Sequence, residues 1–192
     1  MNVAARVKAI LTDPMTAWAR IENEADDPGF LLSRYAGVLA LIPALAGFAG
    51  ATLIGVIVPG GATARASLFN GASGAVFGYV MSCATALVLG LVIDLLAPLF
   101  GGGRNFNNAF KLAVYSLTPV WIAGMFLVLP GLRFIVLTGC YGAYLLWLGL
   151  PRLAKVPEEQ AANFTAVIVV CAWVLLYLTA VAQRVMFGTP GL

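Results

Sequence analysis

Charged residues are spaced along this chain so that five long stretches contain none: Tyr35 to Ala64, Ala66 to Ile93, Leu112 to Leu132, Phe134 to Pro151 and Gln160 to Gln183. A bilayer core about 30 Å thick needs roughly 20 apolar residues as helix, so each stretch is long enough, or nearly so, to cross. The pattern predicts an all-α integral membrane helical bundle of five transmembrane helices over residues 35–183. It also predicts a single domain over 1–192, with a cytoplasmic or interfacial N-terminal segment (1–34) and a periplasmic tail (184–192). The third and fourth stretches are short and joined through Leu129-Pro130-Gly131-Leu132. A re-entrant hairpin there would bury Arg133 at a cost of about 3 kcal/mol, so full crossing is favoured.

Ahead of the first span, Val3, Val7, Ile10 and Leu11 fall on one helical face with Arg6 and Lys8 beside it, the signature of a short amphipathic interfacial helix. Asp13-Pro14 restarts the chain, since Asp13 can cap free amides and Pro14 suits a first helical turn. Met15, Trp18 and Ile21 then share a side, with Trp18 the natural anchor at a membrane interface. A solvated amphipathic pair packed on the loops fits the same pattern equally well.

The spans are rich in small residues, and close backbone approach is what holds helices together in lipid. Gly74, Gly78, Ser82, Ala86 and Gly90 recur every four residues in the second span, as do Gly47, Ala51 and Gly55 in the first. Each four-residue step advances about 40° around a helix, so the long row must be shared between two neighbours. Pro43 and Pro119 lie inside spans and predict kinks or local openings.

Composition agrees with the bilayer as solvent, for 61% of residues are hydrophobic and 10% charged. The net charge of +3 is scattered among loops, with no basic run suited to nucleic acid. Some thirty residues with four basic and five acidic side chains precede the first apolar run, so a cleavable signal peptide is not expected. Cys83, Cys140 and Cys171 lie within predicted helices and read as reduced core residues. Histidine is absent, which removes the usual general base of hydrolases and the usual ligands of catalytic zinc. Gly101-Gly102-Gly103 is a flexible exit from the second span, not a phosphate loop. No enzyme activity, cofactor or metal is expected.

Polar groups inside the spans are the candidate functional residues. Asp94 is an acid embedded in an apolar run, and an ionised carboxylate in hydrocarbon needs a partner or a proton. A salt bridge to Arg104 or Lys111 is the simpler reading, and a proton or cation site the alternative. Tyr115, Ser116, Thr118 and Pro119 form a second cluster, and Tyr141 and Tyr144, with Thr138 and Cys140, a third. Both read as interhelical hydrogen-bonding groups. Glu22, Glu24, Asp26 and Asp27 precede the first span, where solvation competes with recruitment of a basic partner or cation.

Several of these segments, taken in order, resemble the bacterial branch of the YIP family, membrane proteins named for interacting with Ypt and Rab GTPases. The resemblance rests on Asp13-Pro14, Trp18 and Glu22-Asn23-Glu24, then Tyr115-Ser116-Leu117-Thr118-Pro119, then Tyr144-Leu145-Leu146-Trp147-Leu148-Gly149-Leu150-Pro151, set among five spans. It implies an inner-membrane location and a five-helix architecture. The eukaryotic relatives carry Gly where this chain has Val114, and their acidic motif containing Tyr-Gly-Pro is not reproduced here. Binding of prenylated GTPases therefore does not follow.

Two functions compete: a non-enzymatic scaffold or adaptor acting on partner proteins or lipid at the cytoplasmic face, and a small transporter or channel with a polar path near Asp94 and the Tyr/Ser/Thr clusters of the third and fourth spans. Membrane lipid is the implied partner and nucleic acid is not. A protein partner and a homo-oligomer stay open. Orientation follows from eight of the eleven Lys and Arg (Arg6, Lys8, Arg20, Arg34, Arg104, Lys111, Arg152, Lys155) falling on the N-terminal side, against Arg65, Arg133 and Arg184 opposite. The positive-inside rule then puts the N-terminus in the cytoplasm. A topology reporter fused after Leu192 should read as periplasmic and one near Lys155 as cytoplasmic; a cytoplasmic C-terminal reporter would overturn this arrangement.

Overall fold

The computed structural model describes residues 2–24, 27–57, 63–129 and 138–187. Helix dominates because apolar side chains in a bilayer leave the backbone no other partner than itself. Two short helices, α1 (Val3–Thr12) and α2 (Pro14–Glu22), come first. Three long ones follow: α3 (Pro28–Ile54), α4 (Leu68–Phe100) and α5 (Phe106–Val128). Next comes α6, regular over Thr138–Gly149 and wound more widely over Leu150–Ala154, and α7 (Glu158–Phe187) is last. A two-residue antiparallel ladder, Val56–Ile57 with Thr63–Ala64, links α3 to α4. The fold is an all-α membrane helical bundle.

Helix starts obey local rules. The Asp13 carboxylate accepts from the Thr16 amide, with Pro14 in the first turn, and Asp27 accepts from Gly29 and Phe30 ahead of α3. Asn105 caps α5 through the Asn108 amide. Each cap satisfies amide donors that a helix end leaves free.

By length and composition α3, α4, α5 and α7 can each cross a membrane. The fourth expected span is shorter, its described part running from Thr138 to Ala154. Arg133 and the Pro130-Gly131-Leu132 turn lie outside the described residues, as do Asp26 and the end of the tail.

The central helix is α5, buried from Ala109 through Pro119. Contacts along it fix the arrangement of its neighbours. Gly90 of α4 lies against Phe110, and Trp121 Nε1 donates to Ser82 Oγ at 2.7 Å, so α4 and α5 are antiparallel. Antiparallel α6 follows, with Asn108 Nδ2 donating to the Leu153 carbonyl at 3.1 Å, Gly149 against Leu112 and Gly142 against the Ser116 carbonyl. Parallel α3 joins Tyr35 Oη to Thr118 Oγ1 at 3.0 Å and sets Pro43 against Gly124. On the far side of α4, Gln183 of α7 donates to the Gly74 carbonyl at 3.0 Å, and Phe164 stacks on Phe100.

The small-residue row of α4 is thus divided. Ser82, Ala86 and Gly90 turn to α5, whereas Gly74 and Gly78 turn to the Gln183 amide of α7. In α3 the expected row fails. A Cβ on Gly47 would meet nothing within 4 Å, and Gly55 has φ 84° and ends the helix rather than packing it. Between them Ala51 is half-buried, and the close approach falls at Gly50, where a Cβ would come 2.5 Å from the Leu127 carbonyl. The wide five-residue turn over Gly50–Ile54 changes the helical phase on which the four-residue count depended.

The structure also corrects two readings of burial. Trp18 is fully buried in the core rather than anchored at an interface. Cys140 is exposed and Cys83 and Cys171 half-exposed, all three free thiols. The helix contacts give a direct test. Gly90→Leu should cost about 1–3 kcal/mol by overpacking against Phe110, and Gly47→Leu should stay within about 0.5 kcal/mol, measured by denaturation in detergent.

Candidate functional site

The polar residues converge at the end of the bundle where α2 and α6 finish and α5 begins. Lys111, one and a half turns into α5, is only 3% exposed. Its ammonium donates to the carbonyl of Ile21 at 3.2 Å and to that of Glu24. The Ile21 carbonyl, in the last turn of α2, also accepts from the Glu24 amide at 3.3 Å, the Glu24 carbonyl lies just past the helix end, and the cation meets the negative end of the helix dipole. Lys111 is therefore the C-terminal cap of α2, supplied by another helix.

Ion pairs reinforce this joint. Arg6 of α1 holds Glu24 through Nη2, at 2.6 Å and 2.5 Å to its two oxygens. Lys155, beyond α6, holds Glu22 at 2.5 Å. The Arg6 guanidinium also lies 5.9 Å from the centre of the Tyr115 ring. Tyr115 in turn meets the edges of Trp18 and Tyr35, with ring centres 6.0 Å and 4.9 Å away. Trp18 fits because position 149 is glycine: a Cβ there would lie 2.9 Å from the indole. Deeper in the bundle, Tyr141 Oη donates to the Leu11 carbonyl at 2.7 Å, just before the corner between α1 and α2.

Above this joint opens a cleft of about 370 Å³ lined by Glu22, Glu24, Asp27, Asn105, Asn107, Asn108 and Lys111. Its three carboxylates are committed, two to ion pairs and Asp27 to the start of α3. Among the described residues no group of three or more Cys, Asp or Glu is placed to hold a metal ion. The cleft offers amides, engaged charges and open volume.

Asp94 lies apart from it. Its Oδ2 is 3.9 Å from Arg104 Nε, a loose ion pair with a largely exposed arginine, and its Oδ1 is buried without a hydrogen-bond partner. Of the two partners the sequence offered, Arg104 is the one that pairs with it, and Lys111 is not. The reason is rotational: Lys111 leaves α5 on the side facing α2, where two carbonyls compete for it. Of the Tyr/Ser/Thr clusters, Tyr115, Ser116, Thr118 and Pro119 are buried along α5, with Thr118 bonded to Tyr35 and to the Val114 carbonyl. Ser116 Oγ and Trp18 Nε1 are buried without partners. Tyr141 reaches α1, but Tyr144 stands half out of the bundle. Arg6 and Lys155 were not singled out from the sequence, because no helical spacing relates them to Glu24 and Glu22.

Helical membrane bundle, buried N-terminal pair and polar end define the class of protein. The Yip1 domain matches residues 8–181, and the chain belongs to that family. It is 30% identical over 152 residues to the inner membrane protein YohC of Escherichia coli K12, covering 75% of this chain and 78% of that protein, and equally to YohC of Escherichia coli O6:H1. No solved structure gives a significant match.

The joint at Lys111 carries a stability prediction. Lys111→Met takes the ammonium from both carbonyls, leaving that of Ile21 with the Glu24 amide alone, and should cost about 1–3 kcal/mol, whereas Arg104→Gln at the loose pair should cost under about 1 kcal/mol. Denaturation of the two variants in detergent checks the order.

Proposed function

We propose that this Yip1-family membrane protein is a non-enzymatic scaffold of the inner membrane that presents the polar end of its bundle to a partner protein. In this reading five helices cross, the N-terminus is cytoplasmic and the cleft faces the cytoplasm. The supporting observation is the joint itself: α1, α2, the 101–105 connection and the residues after α6 are tied together by Lys111, Arg6–Glu24 and Glu22–Lys155 around an open cleft. The Gly103 amide adds to it by donating to the Ala154 carbonyl at 2.9 Å. Such a surface is rigid and polar, and its carboxylates are occupied, which suits recognition better than general acid or base chemistry.

A transport reading keeps one specific support, the buried and unpaired Oδ1 of Asp94. Purification in native lipid separates the two. The wild-type chain should bring a defined protein with it, and Asn107→Arg, an exposed change on the cleft rim, should lose that protein while leaving thermal stability unchanged. Capture unaffected by Asn107→Arg would remove the cleft from the proposal. Ion flux in proteoliposomes that Asp94→Asn abolishes, with no captured protein, would replace the scaffold by a transporter.

A further inference from the structure

The apolar belt of this bundle is not level. The corner between α1 and α2 sits beside Tyr141 through its bond to the Leu11 carbonyl, and Trp18 sits beside Gly149, so α2 runs along α6. Gly142 of α6 abuts Ser116, and the Ser82–Trp121 and Gly90–Phe110 contacts bring Ser116 opposite Thr85 and Ala86 of α4. At that level the corner is polar, with Thr12 and Asp13 exposed, and the exposed Lys8, Thr16, Arg20 and Asn23 continue the outward face from there toward the polar end of the bundle. On α4, by contrast, Leu91, Leu95 and Leu99 are 47%, 57% and 77% exposed. They lie roughly 8 to 20 Å nearer the same end at 1.5 Å per residue. Val167 and Val170 of α7, just after the Phe164–Phe100 stack, extend this apolar flank.

A flat membrane edge perpendicular to the helices must mis-solvate one flank. Set high, it puts Lys8 and Arg20 in hydrocarbon; set low, it puts the three leucines in water. A second observation marks the level on the polar flank. Tyr144 and Trp147 of α6 are half-exposed beside the N-terminal pair, and amphipathic aromatic rings gather at headgroup depth.

We infer that the polar outer face of α1 and α2 is a docking surface for phospholipid headgroups, sunk into the leaflet below the membrane boundary on the α4 and α7 flank. Lys8 and Arg20 supply the positive charge that complements lipid phosphate. Asp13, whose carboxylate accepts from the Thr16 amide, offsets one of these charges and leaves the face net positive. Met15, exposed among these polar groups, contributes an apolar contact below the headgroups. The inference needs only the membrane bundle, so its failure would leave the partner-capture result untouched.

Spin labels test it on the full-length chain freed of Cys83, Cys140 and Cys171 and placed in vesicles of phosphatidylethanolamine and phosphatidylglycerol. A label at Thr16→Cys, or at Thr12→Cys should the first fold poorly, should collide with an aqueous nickel chelate about as often as one at Asn23→Cys. At Leu95→Cys the chelate collisions should fall severalfold and oxygen collisions rise, although Leu95 lies nearer the end of the bundle. Lys8→Gln with Arg20→Gln should reduce the motionally restricted fraction of spin-labelled phosphatidylglycerol. Oxygen-dominated collisions at Thr16, chelate-dominated collisions at Leu95, an unchanged lipid fraction in the double variant, or disulfide-linked dimers through Thr16→Cys, which would mean that a second copy covers the face, would each overturn it.

Discussion

An ammonium group withdrawn from water must be surrounded by oxygen, and at Lys111 that requirement ties the N-terminal pair to the bundle. Its donors go to the Ile21 and Glu24 carbonyls, so the end of α2 and the beginning of α5 cannot separate without leaving a buried charge without its acceptors. Trp18 and Ile21, fully buried, come into place with the same helix. The Arg6–Glu24 and Glu22–Lys155 pairs then draw α1 and the end of α6 to that joint. Hydrophobic burial supplies most of the attraction, and the lysine sets where along the groove α2 stops.

Close packing inside the bundle depends on where side chains are missing. Gly90 lets Phe110 approach α4, Gly142 admits the Ser116 backbone, and Gly149 admits the Trp18 indole. With no water to expel between helices in lipid, these short contacts and bonds such as Trp121–Ser82 provide the attraction between spans. The outermost helix shows the contrast. Few residues of α7 are buried, its contacts concentrate on α4, and Val170, Trp173, Val174, Leu176, Tyr177 and Leu178 face outward as a lipid-exposed helix requires.

Physical reasons separate what could be read in advance from what could not. The absence of charge over the long spans is a one-dimensional property, since hydrocarbon tests every residue of a crossing helix alike. The family assignment was legible for a related reason: it rests on ordered local segments, and the Yip1 match spans residues 8–181. Asp13-Pro14 capped a helix as local chemistry demands. Residue spacing also showed that the α4 row had to serve two neighbours, because helical phase drifts at a known rate. Spacing could not show which of Arg104 and Lys111 meets Asp94, since both lie within chain reach and only the rotation of α5 chooses.

The sequence alone determined a helical membrane protein of a recognisable family, without histidine-based catalysis, whose N-terminal segment is amphipathic. Each of these properties is carried by composition or by a run of neighbouring residues. Tertiary structure decided where the amphipathic face goes, namely into the groove between α5 and α6 rather than along an interface, because a glycine at 149 and a lysine at 111 create a socket and a cap that no local pattern announces. It also decided which glycines matter. Gly47 and Gly90 look alike within their rows, yet a side chain on the first would meet open space and on the second would meet Phe110, and that difference exists only once two helices lie together.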